Sequence, residues 1–249
     1  MKPAKNKSTS PIEPTSIFNA SRYPKIRAIV DAGKDSVQTL ADMVGETILK
    51  QIISNELPAG TALTTNAVAE SLGVSRTPVA KALAKLTADG VLVQPNHENA
   101  QVSVDAASWL EQSREFRTII EAEAAFRAAG RIDPEVLDDL KALSREAKPN
   151  NDFEWTDAAI FFDAALHLSI AEYCGNAPMK VSIRKCWTYK RLAYAIYPRT
   201  KARLKADFEQ HLAILKALIA GDGEQAWKAM TSHLHSATRT LRRAEITTR

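Results

Sequence analysis

The sequence predicts a mainly α-helical protein: an N-terminal winged helix-turn-helix followed by a C-terminal antiparallel all-helical bundle of six to seven helices. Three observations predict it. Strand-favouring runs are few and alanine, the best helix former, is abundant. The stretch Ala67 to Leu86 reads as a short helix, a tight glycine turn and a second helix. From about Ala107 onward, apolar residues recur at helical spacing in segments parted by glycine, proline or polar breaks. At 249 residues, 45 % hydrophobic and 25 % charged, the chain has the composition of a protein with a proper core and room for one large domain or two modest ones.

Residues 1 to 34 mix Lys, Ser, Thr and Pro without sustained periodicity, which predicts a flexible arm with a short ordered piece near Tyr23 to Val30. Seven basic residues against two acids put the chain's positive balance there, since the whole chain carries only +4. A basic arm suits phosphate contacts; a solvated tail has the same composition. No apolar run suits a signal peptide or a membrane span, so a cytoplasmic protein without membrane contact is expected. Cys174 and Cys186 form neither a disulfide framework nor a zinc knuckle and are expected to be reduced, buried thiols.

Residues 35 to 104 are expected to fold as the winged domain. A first helix runs from about Asp35 to Glu56 on a stripe of Val37, Leu40, Val44, Ile48 and Ile52, and Pro58-Ala59-Gly60 ends it. Val68 and Leu72 anchor the next short helix, which Gly73 stops by entering a left-handed turn. Ser75 suits the N-cap of the second helix and Pro78 its first turn. Val79, Leu83 and Leu86 then form its buried stripe, so Ser75, Arg76, Thr77 and Lys81 project from its start, with Lys85 one turn further on. That end of a helix-turn-helix enters the major groove of DNA. Val91-Leu92-Val93 and Gln101-Val102-Ser103-Val104 read as two wing strands around a polar tip, Pro95 to Ala100, with His97 an exposed loop residue.

Residues 105 to 249 read as the bundle. Its helices run from Ala107 to Ala129, from Pro134, from Phe153 to Cys174, from Asn176-Ala177-Pro178 to Ile196, from Lys201 to Ala220 and from Glu224 to Ala244. The first is expected to bury Trp109, Phe116, Ile120 and Glu123-Ala124. Three histidines fall on buried stripes. Asp163 and His167 are one helical turn apart and share a face with Ala159 and Ile170. His211 is in series with Leu204, Phe208, Leu215 and Leu218, and His233 with Ala226, Met230 and Ala237. His235 falls on a polar face. Aspartate and histidine are costly to bury without partners. One divalent cation, Zn, Ni or Mn, would satisfy Asp163, His167, His211 and His233 together; separate hydrogen-bonded core histidines are the other reading.

Gly73-Val-Ser-Arg-Thr-Pro-Val79 followed by Ala82-Leu83 is similar to the signature of GntR-type bacterial transcription regulators. The resemblance extends from Leu57 to Leu92 around it. It implies contact with double-stranded DNA, and adds Thr65 and Asn66 to the DNA-facing set. Ala80 and Asn66 stand where the family usually or often has arginine, and Asn99-Ala100 where it usually has a wing glycine. Asp163-x3-His167, Gly175-Asn176, His211 and His233 resemble the FCD effector domain of the FadR subfamily, over about residues 107 to 241. That resemblance implies a homodimer on a roughly palindromic operator, a divalent metal on those four residues, and a small carboxylate effector completing the shell. It also implies Arg117 as a clamp for the effector, although Arg117 and Glu121 are equally spaced for an ion pair across one turn. A metal-dependent enzyme acting on small organic acids, with a vestigial DNA-binding module, is the alternative; no acid–base pair or nucleophile at a telling spacing speaks for it.

Overall fold

The computed structural model describes residues 18–32, 39–95, 99–150, 155–196 and 199–247. Val37, His97 and Pro198 lie outside them, so the expectations for these residues have no structural counterpart. After a short 3₁₀ turn, helix α1 (Pro24–Asp31) starts at a proline and buries Ile26 completely. Helix α2 (Leu40–Ile53) begins later than the hydrophobic pattern predicts. Thr39 accepts from the Asp42 N–H and Asp42 returns a bond to the Thr39 N–H, a reciprocal cap that fixes the first turn.

Strand β1 (Ala62–Leu63) leads into α3 (Thr65–Leu72), capped by Thr64 and ended by Gly73 at φ 64°. Helix α4 (Arg76–Ala88) follows after a three-residue corner, Gly73 to Ser75. Ser75 takes its N-cap position with extended backbone, but its hydroxyl makes no capping bond. Val79, Ala82, Leu83 and Leu86 are buried as the periodicity predicts, and pack with Val44, Ile48 and Leu49 of α2. Strands β2 (Leu92–Val93) and β3 (Ala100–Val102) form the wing, antiparallel, with Leu92 opposite Val102. The sheet has a third strand: β1 pairs with the other edge of β3, Leu63 opposite Ala100, in the order β1-β3-β2. Two residues carry no readable alternation, so β1 left no trace in the sequence pattern.

The bundle comprises α5 (Trp109–Ala128), α6 (Pro134–Glu146), α7 (Trp155–Tyr173), α8 (Ala177–Ile196), α9 (Lys201–Ile219) and α10 (Gly223–Thr247). Its boundaries follow the predicted breaks, but the buried face of α5 is rotated. Phe116 is 45 % exposed, while Arg117, Glu121, Ala124, Ala125 and Ala128 are buried. The alanines allow close approach along α10, and the two charged residues are buried because they pair with each other and Glu121 also meets His167. Helix α7 is buried nearly all round at the centre, in contact with α1, α5, α6, α8 and α9. Cys174 and Cys186 are free thiols and buried. Among the described residues no helix is long and apolar enough to cross a membrane.

The ordered piece near Tyr23 is present, and it is docked. Tyr23 and Ile26 belong to the bundle's apolar core. Arg22 pairs with Glu146, Lys25 with Asp133 and Glu135, and Arg27 with Asp31. The expectation of a flexible basic arm reaching DNA phosphates is therefore corrected for residues 18–32. There the positive charge is already matched by acids, and the helix covers apolar surface.

Candidate metal centre and nucleic-acid interface

Asp163 and His167 on α7, His211 on α9 and His233 on α10 are all buried and meet in the bundle interior. One ligand atom from each lies within 4.8 Å of every other. His211 Nε2 stands 3.4 Å from His167 Nε2, 3.3 Å from His233 Nε2 and 3.2 Å from Asp163 Oδ1. With metal–nitrogen bonds of about 2.0–2.1 Å, adjacent ligands of a tetrahedral shell stand about 3.4 Å apart. The donor set thus has the spacing of ligands around one small divalent ion.

The far sides of the rings decide their tautomers. His167 Nδ1 donates to Glu121 Oε2, and His233 Nδ1 donates to Gln210 Oε1 at 2.8 Å. Both bonds place the proton on Nδ1 and leave the Nε2 lone pair facing the cluster, as metal ligation requires. Burial depresses both imidazoles. His167 is held down at about 4 despite the Glu121 carboxylate, and His233 falls well below the usual value, helped by its histidine neighbours. Lone pairs pointed at one another in a dry core, with an ionised carboxylate beside them, fit a cation. Burial alone would raise Glu121, yet Arg117 and His167 hold it at about 2. Asp163 is likewise held well below the carboxylate range against its burial, by Arg199, Lys190 and His211.

A cationic layer surrounds this cluster. Arg117 Nε donates to Glu121 Oε1 at 2.5 Å, and Trp187 Nε1 reaches the same oxygen at 3.3 Å. Lys190 Nζ donates to both Asp163 oxygens, at 3.1 and 3.0 Å, and lies 3.8 Å over the Trp187 ring. Arg199 bonds Asp163 and Tyr194 through Nη2 and Asp207 through Nη1. The sequence reading had the four candidate ligands but missed Glu121 as a support of His167, and it missed Gln210, Trp187, Lys190, Tyr194 and Arg199. Trp187, Lys190 and Tyr194 share one face of α8 at helical spacing. That spacing was available in the sequence as a signal. Arg117 is in the ion pair with Glu121, and the same guanidinium lies against the cluster.

At the other end of the chain, Asn66, Ser75, Arg76, Thr77, Lys81 and Lys85 are exposed and Thr65 is half-buried. They gather around the start and outer face of α4. Lys85 donates to Asp42 of α2 at 2.9 Å, so it braces the helix pair as well as facing outward. Ala80 leaves the middle of that face without a hydrogen-bonding side chain.

A winged helix-turn-helix joined to a helical bundle is the architecture of a DNA-binding transcription regulator. Two family models match the chain: bacterial regulatory proteins, gntR family, over residues 40–98, and the FCD domain over residues 112–236. The protein belongs to the GntR family of transcription regulators, in its FCD-containing branch. It is similar to an Escherichia coli (strain K12) regulatory protein named for the L-lactate dehydrogenase operon, 29 % identical over 231 residues, covering 82 % of this chain and 87 % of that one. A Paenarthrobacter nicotinovorans transcriptional repressor named for the D-xylose utilization operon is 28 % identical over 204 residues, covering 79 % and 86 %. Among solved structures, E. coli McbR/YncC shares the fold at a TM-score of 0.58 and 22 % identity, covering 83 % of this chain and 99 % of that one. These families and relatives are transcription regulators rather than enzymes.

Proposed function

We propose that the protein is a metal-loaded, organic-acid-responsive operator-binding regulator that works as a cytoplasmic homodimer, one half-site per subunit. In this reading Asp163, His167, His211 and His233 hold Zn, Ni or Mn. A small carboxylate completes the shell, and Arg117 helps to clamp it. Thr65, Asn66, Ser75, Arg76, Thr77, Lys81 and Lys85 face the DNA, with Arg76 leading the reading helix. The observation that carries the reading is the convergence of three imidazole Nε2 atoms and one carboxylate in a dry core, two of the rings being oriented from behind by Glu121 and Gln210. The metal supplies charge and open coordination positions for an acid. The chain's own residues fix the imidazole tautomers, exclude water and keep Asp163 ionised.

The test combines elemental analysis, melting and operator binding for wild type, His233→Ala and Arg76→Ala, each with and without chelator. Wild type is expected to carry about one ion per chain and to melt higher as free metal rises, because the ion binds only the native state. His233→Ala is expected to lose both effects. Arg76→Ala is expected to keep them while losing ~1–3 kcal/mol of specific operator binding. A wild type that is metal-free and indifferent to chelator and to added Zn, Ni or Mn would sink the metal site.

A further inference from the structure

This inference rests on the metal-and-carboxylate reading above and names the class of acid. Arg114 and Arg117 lie three residues apart on one face of α5. Arg117 is 4 % exposed, and its Nε is taken by Glu121, but its Nη2 is buried with no hydrogen-bond partner. Arg114 Nη1 is buried without a partner as well. They are the only cationic nitrogens in that condition among the described residues. The rest of the cationic layer is committed: Lys190 and Arg199 to Asp163, and Arg199 and Arg203 to Asp207. Buried donors are rarely left unmet, because an unmet donor costs its whole desolvation penalty.

Arg117 is joined to the candidate metal cluster through Glu121, whose other oxygen meets His167. Arg117 Cζ stands 5.0 Å over the Trp187 ring, and the His167 ring lies 5.1 Å from the same indole. Arg114 lies one helical turn before Arg117 on the same face of α5. A monocarboxylate held at the metal and touched by Arg117 would still leave the buried Arg114 Nη1 without a partner. We propose that the effector is a short organic acid with two anionic groups, one end at the metal centre and a second carboxylate held between Arg114 and Arg117. The planar forks suit that second carboxylate, which accepts bidentately from arginine.

The test uses isothermal titration calorimetry on the full-length zinc-loaded protein with malate and 2-hydroxybutyrate. The two acids share the hydroxy-acid end and the carbon count, and differ in a terminal carboxylate against a methyl group. Malate is expected to bind roughly tenfold tighter or more, the worth of a charge-assisted hydrogen bond. Arg114→Met is expected to erase that preference while leaving zinc stoichiometry and 2-hydroxybutyrate affinity unchanged. Arg114 is only partly buried, and Arg114→Lys, which keeps the charge without the fork, is expected to give an intermediate preference. Equal binding of the two acids, or a preference that survives Arg114→Met, overturns the inference while leaving the metal reading in place. Failure to bind zinc overturns both.

Discussion

Glu121 binds three side chains from two other helices and its own: Arg117, Trp187 and His167. Its position explains why a carboxylate is tolerated at 1 % exposure, since every oxygen is met by a donor. Glu121→Gln is expected to weaken metal affinity by about 10–100-fold through loss of the support behind His167, and to destabilise the fold by about 3–5 kcal/mol by leaving Arg117 buried without a counter-charge. Metal titration and denaturant unfolding check the two parts separately; unchanged metal affinity would show that His167 needs no orienting partner. The same groups set the acid response of metal-free protein. His167 drops from 6.5 to about 4 on folding, so below pH 6.5 the unfolded chain takes up a proton the folded one refuses. Glu121 drops from 4.5 to about 2, so its contribution is full above pH 4.5 and is lost as pH falls toward 2. Melting in chelator is expected to fall by about 3–6 °C between pH 6.5 and 5 and to keep falling below that. A flat profile over that range would contradict the buried neutral imidazole. The four candidate ligands were legible in the sequence because carboxylate and imidazoles sat on otherwise apolar stripes, where burial makes them conspicuous. Glu121 and Gln210 were not, because a partner that reaches across from another helix obeys no spacing along the chain.

Helix α8 has two working faces. Trp187, Lys190 and Tyr194 look onto the metal cluster. On the opposite face Tyr189 and Leu192 join the core of the winged domain. Lys185 and the Tyr189 hydroxyl both reach Asp89 at the end of the reading helix, at 2.6 and 3.0 Å, and Arg191 reaches Glu46 of α2 at 3.0 Å. A change in how Asp163 is occupied therefore acts on the same rigid element that holds the reading helix. Beside it, a cavity of about 340 Å³ lies between Leu49, Ile52 and Val91 of the winged domain and Ala106, Trp109 and Tyr189 of the bundle. The double variant Lys185→Ala, Arg191→Ala is expected to melt within about 2–4 °C of wild type, because exposed ion pairs each contribute ~0–1 kcal/mol. If the proposed function holds, it is also expected to keep its metal affinity and to shrink the change in operator affinity on adding metal and carboxylate. By linkage, the effect of operator on carboxylate affinity shrinks by the same factor. An undiminished response in both directions would place the coupling elsewhere. At this scale the sequence was most readable where a cap or a breaker stands at an element's end, as at Gly73, Asp133-Pro134 and Gly221. It was least readable on α5, where Phe116 and Ile120 suggested an inward face. The inward face is built instead from alanines and the Arg117–Glu121 ion pair, which hydrophobic periodicity does not reveal.

At the scale of the whole molecule, the winged domain is flanked by chain that belongs to the bundle on both sides. On one side the 3₁₀ turn after β3 runs straight into α5. On the other, α1 is fastened to the bundle before the chain reaches α2. Tyr23 donates to Glu146 at 2.8 Å, and Arg184 caps the end of α1 by donating to the carbonyls of Ile29 and Ala32 at 2.9 and 2.8 Å while pairing with Glu172. Charge pattern along the first 34 residues suggested a basic arm or a solvated tail around one short ordered piece, because composition does not register that Glu146 and Asp133 neutralise part of it. Two truncations separate the roles. Removing residues 1–17 takes away Lys2, Lys5 and Lys7 against a single Glu13. It is expected to leave melting unchanged and to lower DNA affinity mainly at low salt, as loss of phosphate neutralisation does. Removing residues 1–32 also strips Tyr23 and Ile26 from the core, each worth ~1.5–3 kcal/mol of burial, so melting is expected to fall by about 10 °C or more. Ile26→Ala in the full chain should reproduce ~2–5 kcal/mol of that loss without altering charge. Should the longer truncation melt like wild type, the docked helix contributes nothing to the fold. Should the shorter one bind DNA equally well across a salt titration, the first lysines are only a solvated tail.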